Sequence, residues 1–170
     1  MSDKVFNVLF LCTGNSARSI MAEALLNAMG EGRFRAFSAG SHPTGVVNPY
    51  ALERLEKHGI DHTGFRSKPW DEFAQADAPD LDFVITVCDN AAGEVCPVWP
   101  GQPITAHWGV PDPAAVDDDQ KYMAFAKVFT QLERRISLFT VLNPASLERL
   151  ALERKVREIG LVQDRQHQAE

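Results

Sequence analysis

Short apolar runs alternate along this chain with stretches of helical period. The runs are "VFNVLFL" (5–11), "RFRAFSA" (33–39), "LDFVITV" (81–87) and "QPITAHW" (102–108), all rich in β-branched and aromatic residues. Between the first two, "SIMAEALLNAMG" (19–30) places Ile20, Ala24, Leu25 and Met29 on one helical face and stops at Gly30. "NPYALERLEKHG" (48–59) predicts a helix with Asn48 as N-cap, Pro49 in the first helical position and Gly59 as its stop. Beyond Asp112, three aspartates open a long amphipathic pattern through Phe125, Val128, Phe129, Leu132, Ile136 and Phe139. A further helix is expected over 143–160, started by Asn143-Pro144 and ended at Gly160, with 161–170 as a tail.

Near-continuous apolar strands alternating with helices predict an α/β fold: an open four-stranded parallel sheet covered by helices on both faces. The expected organisation is one α/β domain over 1–142, with the helix of 143–160 added to it and packed on it.

Composition narrows the class. At 170 residues with 45% hydrophobic and 24% charged content, the chain can bury a core without covalent staples. A net charge of −6 with its cations scattered argues against nucleic acid as a partner. No apolar run reaches the ~18 residues of a membrane span, and "MSDKVFN" does not read as a secretory signal, so a cytoplasmic protein is expected. The three cysteines, Cys12, Cys88 and Cys96, form no zinc-ligand spacing and make a poor disulfide framework, so no metal is expected. Thiol chemistry remains.

That chemistry collects where open parallel sheets bind ligands, beyond the carboxyl ends of the strands. The first run delivers Cys12, the third Cys88, and the fourth leads into "GVPDP" with Asp112. The loop Cys12-Thr13-Gly14-Asn15-Ser16-Ala17-Arg18-Ser19 passes directly into a helix, so its amides and the helix N-terminus face one point. Gly14 can take a positive φ and Asn15 tolerates one, letting successive N–H groups curl into an anion nest. Arg18 adds a planar donor fork for a tetrahedral oxyanion, and the same field is expected to lower the Cys12 pKa. Ser19 is placed to donate to the sulfur.

"CTGNSARS" resembles the signature loop of low-molecular-weight protein tyrosine phosphatases and of the arsenate reductases that share their fold. "FSAGSHP" (37–43) resembles that family's Ser-Ala-Gly stretch, and "PDP" (111–113) its acid loop. The resemblance implies a flavodoxin-like sheet, with Cys12 as nucleophile, Arg18 as oxyanion clamp and Asp112 as general acid. It further implies that Asn15 and Ser38 hold the loop's shape and that Ser19 tunes the thiol.

Phosphatases and reductases of this kind share the first step, and the fate of the adduct separates them. Two features favour reduction. "VCDNAAGEVC" (87–96) resembles the redox segment of thioredoxin-coupled arsenate reductases, with one residue more between its thiols. Ala114 and Ala115 stand where a phosphotyrosine slot would carry aromatic walls. The resemblance thus implies reduction of arsenate to arsenite by a cascade from Cys12 through Cys88 to Cys96. No bound cofactor is implied, only an external thiol reductant: thioredoxin, or glutathione with glutaredoxin. Phosphate and sulfate would compete as oxyanions, and the chain would act as a monomer or weak dimer. Two other readings stay open at this level: a phosphatase for phosphotyrosine or small phosphate esters, and a non-enzymatic oxyanion or redox sensor.

Overall fold

The computed structural model describes residues 4–88, 99 and 101–162. Its strands are β1 (Phe6–Leu11), β2 (Phe34–Ala39), β3 (Phe83–Thr86) and β4 (Ile104–His107). They form one sheet in the order β2-β1-β3-β4, and every pair is parallel. The helices are α1 (Arg18–Met29), α2 (Pro49–Lys57), α3 (Asp118–Thr140) and α4 (Arg149–Ile159), with single 3-10 turns at Trp70–Phe73 and Pro113–Ala115. Among the described residues no helix is long and apolar enough to cross a membrane.

Alternation along β1 divides the core. Val8, Phe10 and Cys12 join a cluster with side chains from all four helices. Leu9 and Leu11 point the other way, onto Ala39, Phe73, Leu81, Val84 and Trp99. Both sets are buried, as the absence of polar alternation requires. Aromatic edges knit α3 to the sheet: Phe139 lies 4.9 Å from Phe34, 5.1 Å from Phe83 and 5.6 Å from Trp108, centroid to centroid.

The helix ends follow local chemistry with two departures. Asn48 caps α2, its side chain accepting from the Tyr50 amide at 2.9 Å. Gly30 ends α1 in an ordinary right-handed conformation (φ −76°), so φ does not demand glycine there. Space does: a Cβ would stand 2.8 Å from the Leu26 carbonyl oxygen and 3.2 Å from Phe34 Cβ. Asn143-Pro144 does not start the last helix. It forms a turn, with the Ser146 amide donating to the Asn143 carbonyl, and α4 begins at Arg149.

Helix α4 lies along the edge strand. Arg157 donates to the Thr105 carbonyl of β4, and Arg149 to the Gln102 carbonyl just before the strand, so both outward acceptors are occupied. The buried Trp108 indole donates to the Val156 carbonyl at 2.9 Å, and Gly160 packs against His107 so closely that a Cβ there would clash with its carbonyl. The His107-Trp108 pair is thus packing, consistent with its strand-end setting.

Candidate active site

The sheet order decides which residues meet. Strands β1, β3 and β4 are consecutive neighbours, and Leu11 pairs with Thr86, which pairs with His107. The ladder continues past the strand ends: the Val87 amide donates to the Leu11 carbonyl and the Val110 amide to the Val87 carbonyl. Cys12, Cys88 and the segment carrying Asp112 therefore emerge side by side on the carboxyl edge. Cys96 lies outside the described residues.

The loop after Cys12 is turned by what its carbonyls bond. The Thr13 carbonyl accepts from the His42 amide (2.9 Å) and the Ser16 carbonyl from the Asn48 amide (2.8 Å). The Gly14 carbonyl accepts from both the Thr44 amide (3.0 Å) and the Ser67 hydroxyl (3.1 Å). In a trans peptide the C=O and the next N–H point opposite ways. With these carbonyls held outward, the amides of Gly14, Asn15 and Ala17 face the loop's interior, where the N-terminus of α1 also points. The amides of Gly14, Asn15 and Ala17 thus form a donor cradle.

Its shape rests on Asn15, fully buried and held at φ 45°. Positive φ falls on Asn15, and not on Gly14; asparagine tolerates that conformation, and its side chain offsets the strain with bonds. Its Nδ2 donates to Ser19 Oγ (2.8 Å) and Ser38 Oγ (3.0 Å), and its Oδ1 accepts from the Lys68 amide (2.9 Å). Ser38 in turn donates to Glu23 Oε1 at 2.5 Å. Gly14 is small because Thr44 is near: a Cβ would sit 3.3 Å from Thr44 Cγ2.

Arg18 opens α1 with its side chain largely buried and tied to the acid loop. Nη1 donates to the Val110 carbonyl at 3.1 Å, and Nη2 stands 3.9 Å from Asp112 Oδ2. Asp112 is about half exposed, and its Oδ1 caps the following 3-10 turn by accepting from the Ala114 amide at 2.9 Å. A guanidinium and a carboxyl group thus flank the cradle from one side.

Cys12 and Cys88 are both buried and neither is in a disulfide, and they share a side-chain hydrogen bond. The Thr13 amide also donates to Cys88 Sγ at 3.3 Å. The sequence predicts a lowered Cys12 pKa; in the structure it is raised. Contact with the Cys88 thiol pushes it up most, burial next, while the Arg18 charge and the Thr13 amide pull it down. The reason is tertiary: the partner thiol comes from a strand seventy-odd residues away. Two unoxidised cysteines in contact are placed to become a disulfide with little movement.

Three residues essential to this geometry carry no signal in the loop motif. A Cβ on Gly40 would stand 2.5 Å from the Thr13 oxygen and 2.7 Å from the Cys12 oxygen. Lys68 is 7% exposed, an uncommon place for an ammonium group. Glu23 anchors the far end of the Asn15 network from within α1. Only the Ser-Ala-Gly stretch could have pointed to Gly40. Among the described residues no cluster of three or more His, Cys, Asp or Glu could hold a metal ion.

Comparison with known proteins agrees with this arrangement. Residues 7–155 match the family model for low molecular weight phosphotyrosine protein phosphatase. An arsenate reductase of Halalkalibacterium halodurans is 37% identical over 141 residues, 82% of this chain and 96% of that protein. A solved arsenate reductase in its phosphate-binding state superposes with a TM-score of 0.62 at 32% identity, covering 78% of this chain and 98% of that one. A thioredoxin-dependent arsenate reductase of Corynebacterium glutamicum gives 0.59 at 27% identity, and this chain's match spans 81% of its own length and 61% of that protein. With the cradle, its thiol and the family model coinciding over most of the sequence, this chain belongs to the low molecular weight phosphotyrosine protein phosphatase family.

Proposed function

We propose that this chain is an arsenate reductase, converting arsenate to arsenite through Cys12 and a thiol–disulfide cascade. The observation that carries the reading is the second thiol: Cys88 touches Cys12 inside an oxyanion cradle. Hydrolysis of a phosphate ester has no use for a thiol there, whereas reduction requires one. The relatives named as arsenate reductases support it.

The cycle is built on these positions. Arsenate fills the cradle, its charge met by Arg18 and the inward amides. Cys12, as thiolate, attacks arsenic; Asp112 protonates the departing oxygen, which leaves as water. Cys88 then attacks Cys12 Sγ. The sulfur–arsenic bond breaks, its electron pair passes to arsenic, and arsenite leaves a Cys12–Cys88 disulfide. Cys96 attacks Cys88, freeing the Cys12 thiol and moving the disulfide to Cys88–Cys96. An external dithiol restores the pair; thioredoxin is the reductant this reading favours, in keeping with the thioredoxin-dependent neighbour.

Phosphotyrosine hydrolysis is the rival activity for this family. Around the slot, Ala114 and Ala115 follow Asp112, and the Tyr50 ring is stacked on Phe125 at 5.3 Å, committed to the core. Aryl substrates find little stacking surface there. The deciding experiment runs arsenate reduction with thioredoxin, or with glutathione and glutaredoxin, beside aryl-phosphate hydrolysis. Cys88→Ser is expected to abolish multiple-turnover reduction while leaving slow ester hydrolysis. Undiminished turnover in that variant would sink the cascade.

A further inference from the structure

Helix α4 has an outer face that no other described element covers. Its inner face belongs to the fold: Leu152, Val156 and Ile159 are buried in the core cluster shared with the sheet and α3. On the opposite side Leu150, and Leu161 just past the helix end, each stand 78% exposed. Between them Glu153, Arg154, Arg157 and Glu158 line an open groove of about 420 Å³. Two leucines at the ends of a charged groove make a surface with something to bury.

The charges say what fits. Glu153 precedes Arg157 by four residues, the order a helix favours, and the two are paired at 2.5 Å. Arg154 and Glu158 stand in the reverse order, and neither has an ionic partner among the described residues. At about 100° per residue, both lie on one flank of the line from Leu150 to Leu161, with Glu153 and Arg157 on the other. An antiparallel two-fold sets each flank against the same flank of the copy. With the axis level with residue 156, Arg154 meets Glu158 of the copy, and Glu158 meets its Arg154. Leu150 then lies within one residue's rise, about 1.5 Å along the axis, of Leu161 of the copy.

We propose that the outer face of α4 is a self-complementary docking surface for a second copy of this chain, packed antiparallel about a two-fold axis. Leu150 packs on Leu161 and Arg154 pairs with Glu158, each twice. The eleven residues of α4 span only about 17 Å, short of the ~800 Å² per partner of a standard interface, so the dimer is weak and concentration-dependent. Helix and edge strand run the same way, with Arg149 at Gln102, Arg157 at Thr105 and Gly160 at His107. The two-fold therefore sends the two carboxyl edges to opposite ends, and both cradles stay open. This contact stands apart from the reductase reading and holds whatever the cradle binds.

The test is sedimentation of the full chain from about 10 μM to about 1 mM, where weak association shows. The parent's mass should rise toward twice the monomer's. Leu150→Glu or Leu161→Glu, each losing two buried leucine contacts per dimer, should raise Kd more than about tenfold. Arg154→Glu and Glu158→Arg each set like charges together twice and should each weaken self-association at least about tenfold. An equimolar mixture of those two variants restores opposite charges at both contacts and should dimerise at least as well as the parent. Thermal melts confirm that each variant is folded; should a leucine variant melt early, the charge variants decide alone. A parent that stays monomeric throughout overturns the proposal. So does a dimer that none of these changes weakens, since its contact lies elsewhere. A mixture no better associated than its components refutes the antiparallel pairing.

Discussion

Gly40→Ala isolates the cradle's dependence on a close backbone approach. Gly40 has no left-handed φ to lose, so alanine's backbone is unstrained and only its methyl group matters. That methyl would meet the Thr13 oxygen at 2.5 Å, the Cys12 oxygen at 2.7 Å and Asn15 Cβ at 3.1 Å. Gly40 cannot easily retreat, because its amide donates to the Lys68 carbonyl and its carbonyl accepts from the Trp70 amide. The oxyanion loop must give way, by about 0.7 Å if the contact is to relax to roughly 3.2 Å. Overpacking of this kind costs about 1–3 kcal/mol, and at about 2–4 °C per kcal/mol for a chain of this size the melting temperature should fall by roughly 2–12 °C. The functional loss should be steeper, since a misplacement of about 1 Å in a catalytic group can cost ~100-fold. The assay is a thermal melt with and without phosphate, since a ligand of the folded state raises Tm through RT ln(1 + [L]/Kd). Phosphate should stabilise the parent and barely move Gly40→Ala. The control is Gly32→Ala, at φ +78° with nothing within 4 Å of its Cβ: it should lose some Tm but keep the phosphate effect. A Gly40→Ala protein melting within about 1 °C of the parent, with its phosphate stabilisation intact, would refute the reasoning.

Cys88→Ala removes the largest influence holding the Cys12 thiol up, so its pKa should drop and alkylation by iodoacetamide at neutral pH should quicken. A pH–rate profile unmoved, or moved toward higher pH, contradicts the paired-thiol description. Asn15→Asp keeps the acceptor for the Lys68 amide but loses both donors and sets a carboxylate against the Ser38–Glu23 link. Two buried bonds lost at ~1–1.5 kcal/mol each predict about 2–3 kcal/mol less stability in urea, with oxyanion binding abolished. Truncation after Leu142 strips α4 from β4, exposing Trp108 and freeing the Gln102 and Thr105 carbonyls. Size-exclusion chromatography should then report association through the open strand edge; a monomeric, equally stable fragment would speak against the edge-guard role.

Much of the fold was written locally. Four apolar runs and their periods give four strands that start one or two residues inside the expected bounds and end at most one residue short of them. The shortening is greatest in β3 and β4, although the flanking Asp82, Val87 and Trp108 amides still donate to the Asn7, Leu11 and Thr86 carbonyls of the neighbouring strands. Asn48 and the acidic start of α3 acted where expected because capping and dipole effects need only neighbours in sequence. Asn143-Pro144 misled for the same reason: the same pair also makes a turn, and what places α4 is packing on β4.

By itself the sequence determined the chemistry on offer: a thiol at a strand end, an arginine six residues on, and a helix whose N-terminus favours an anion. These are short-range facts, fixed by covalent spacing and backbone geometry. Only the tertiary structure decided what that thiol is. The order β2-β1-β3-β4 makes neighbours of Cys12 and Cys88, and their contact outweighs Arg18 in setting the Cys12 proton. The same long-range packing brings Gly40 and Lys68 under the loop and gives Asn15 partners on three separate segments. Burial and pairing are properties of distances through space, and those exist only once the sheet has assembled.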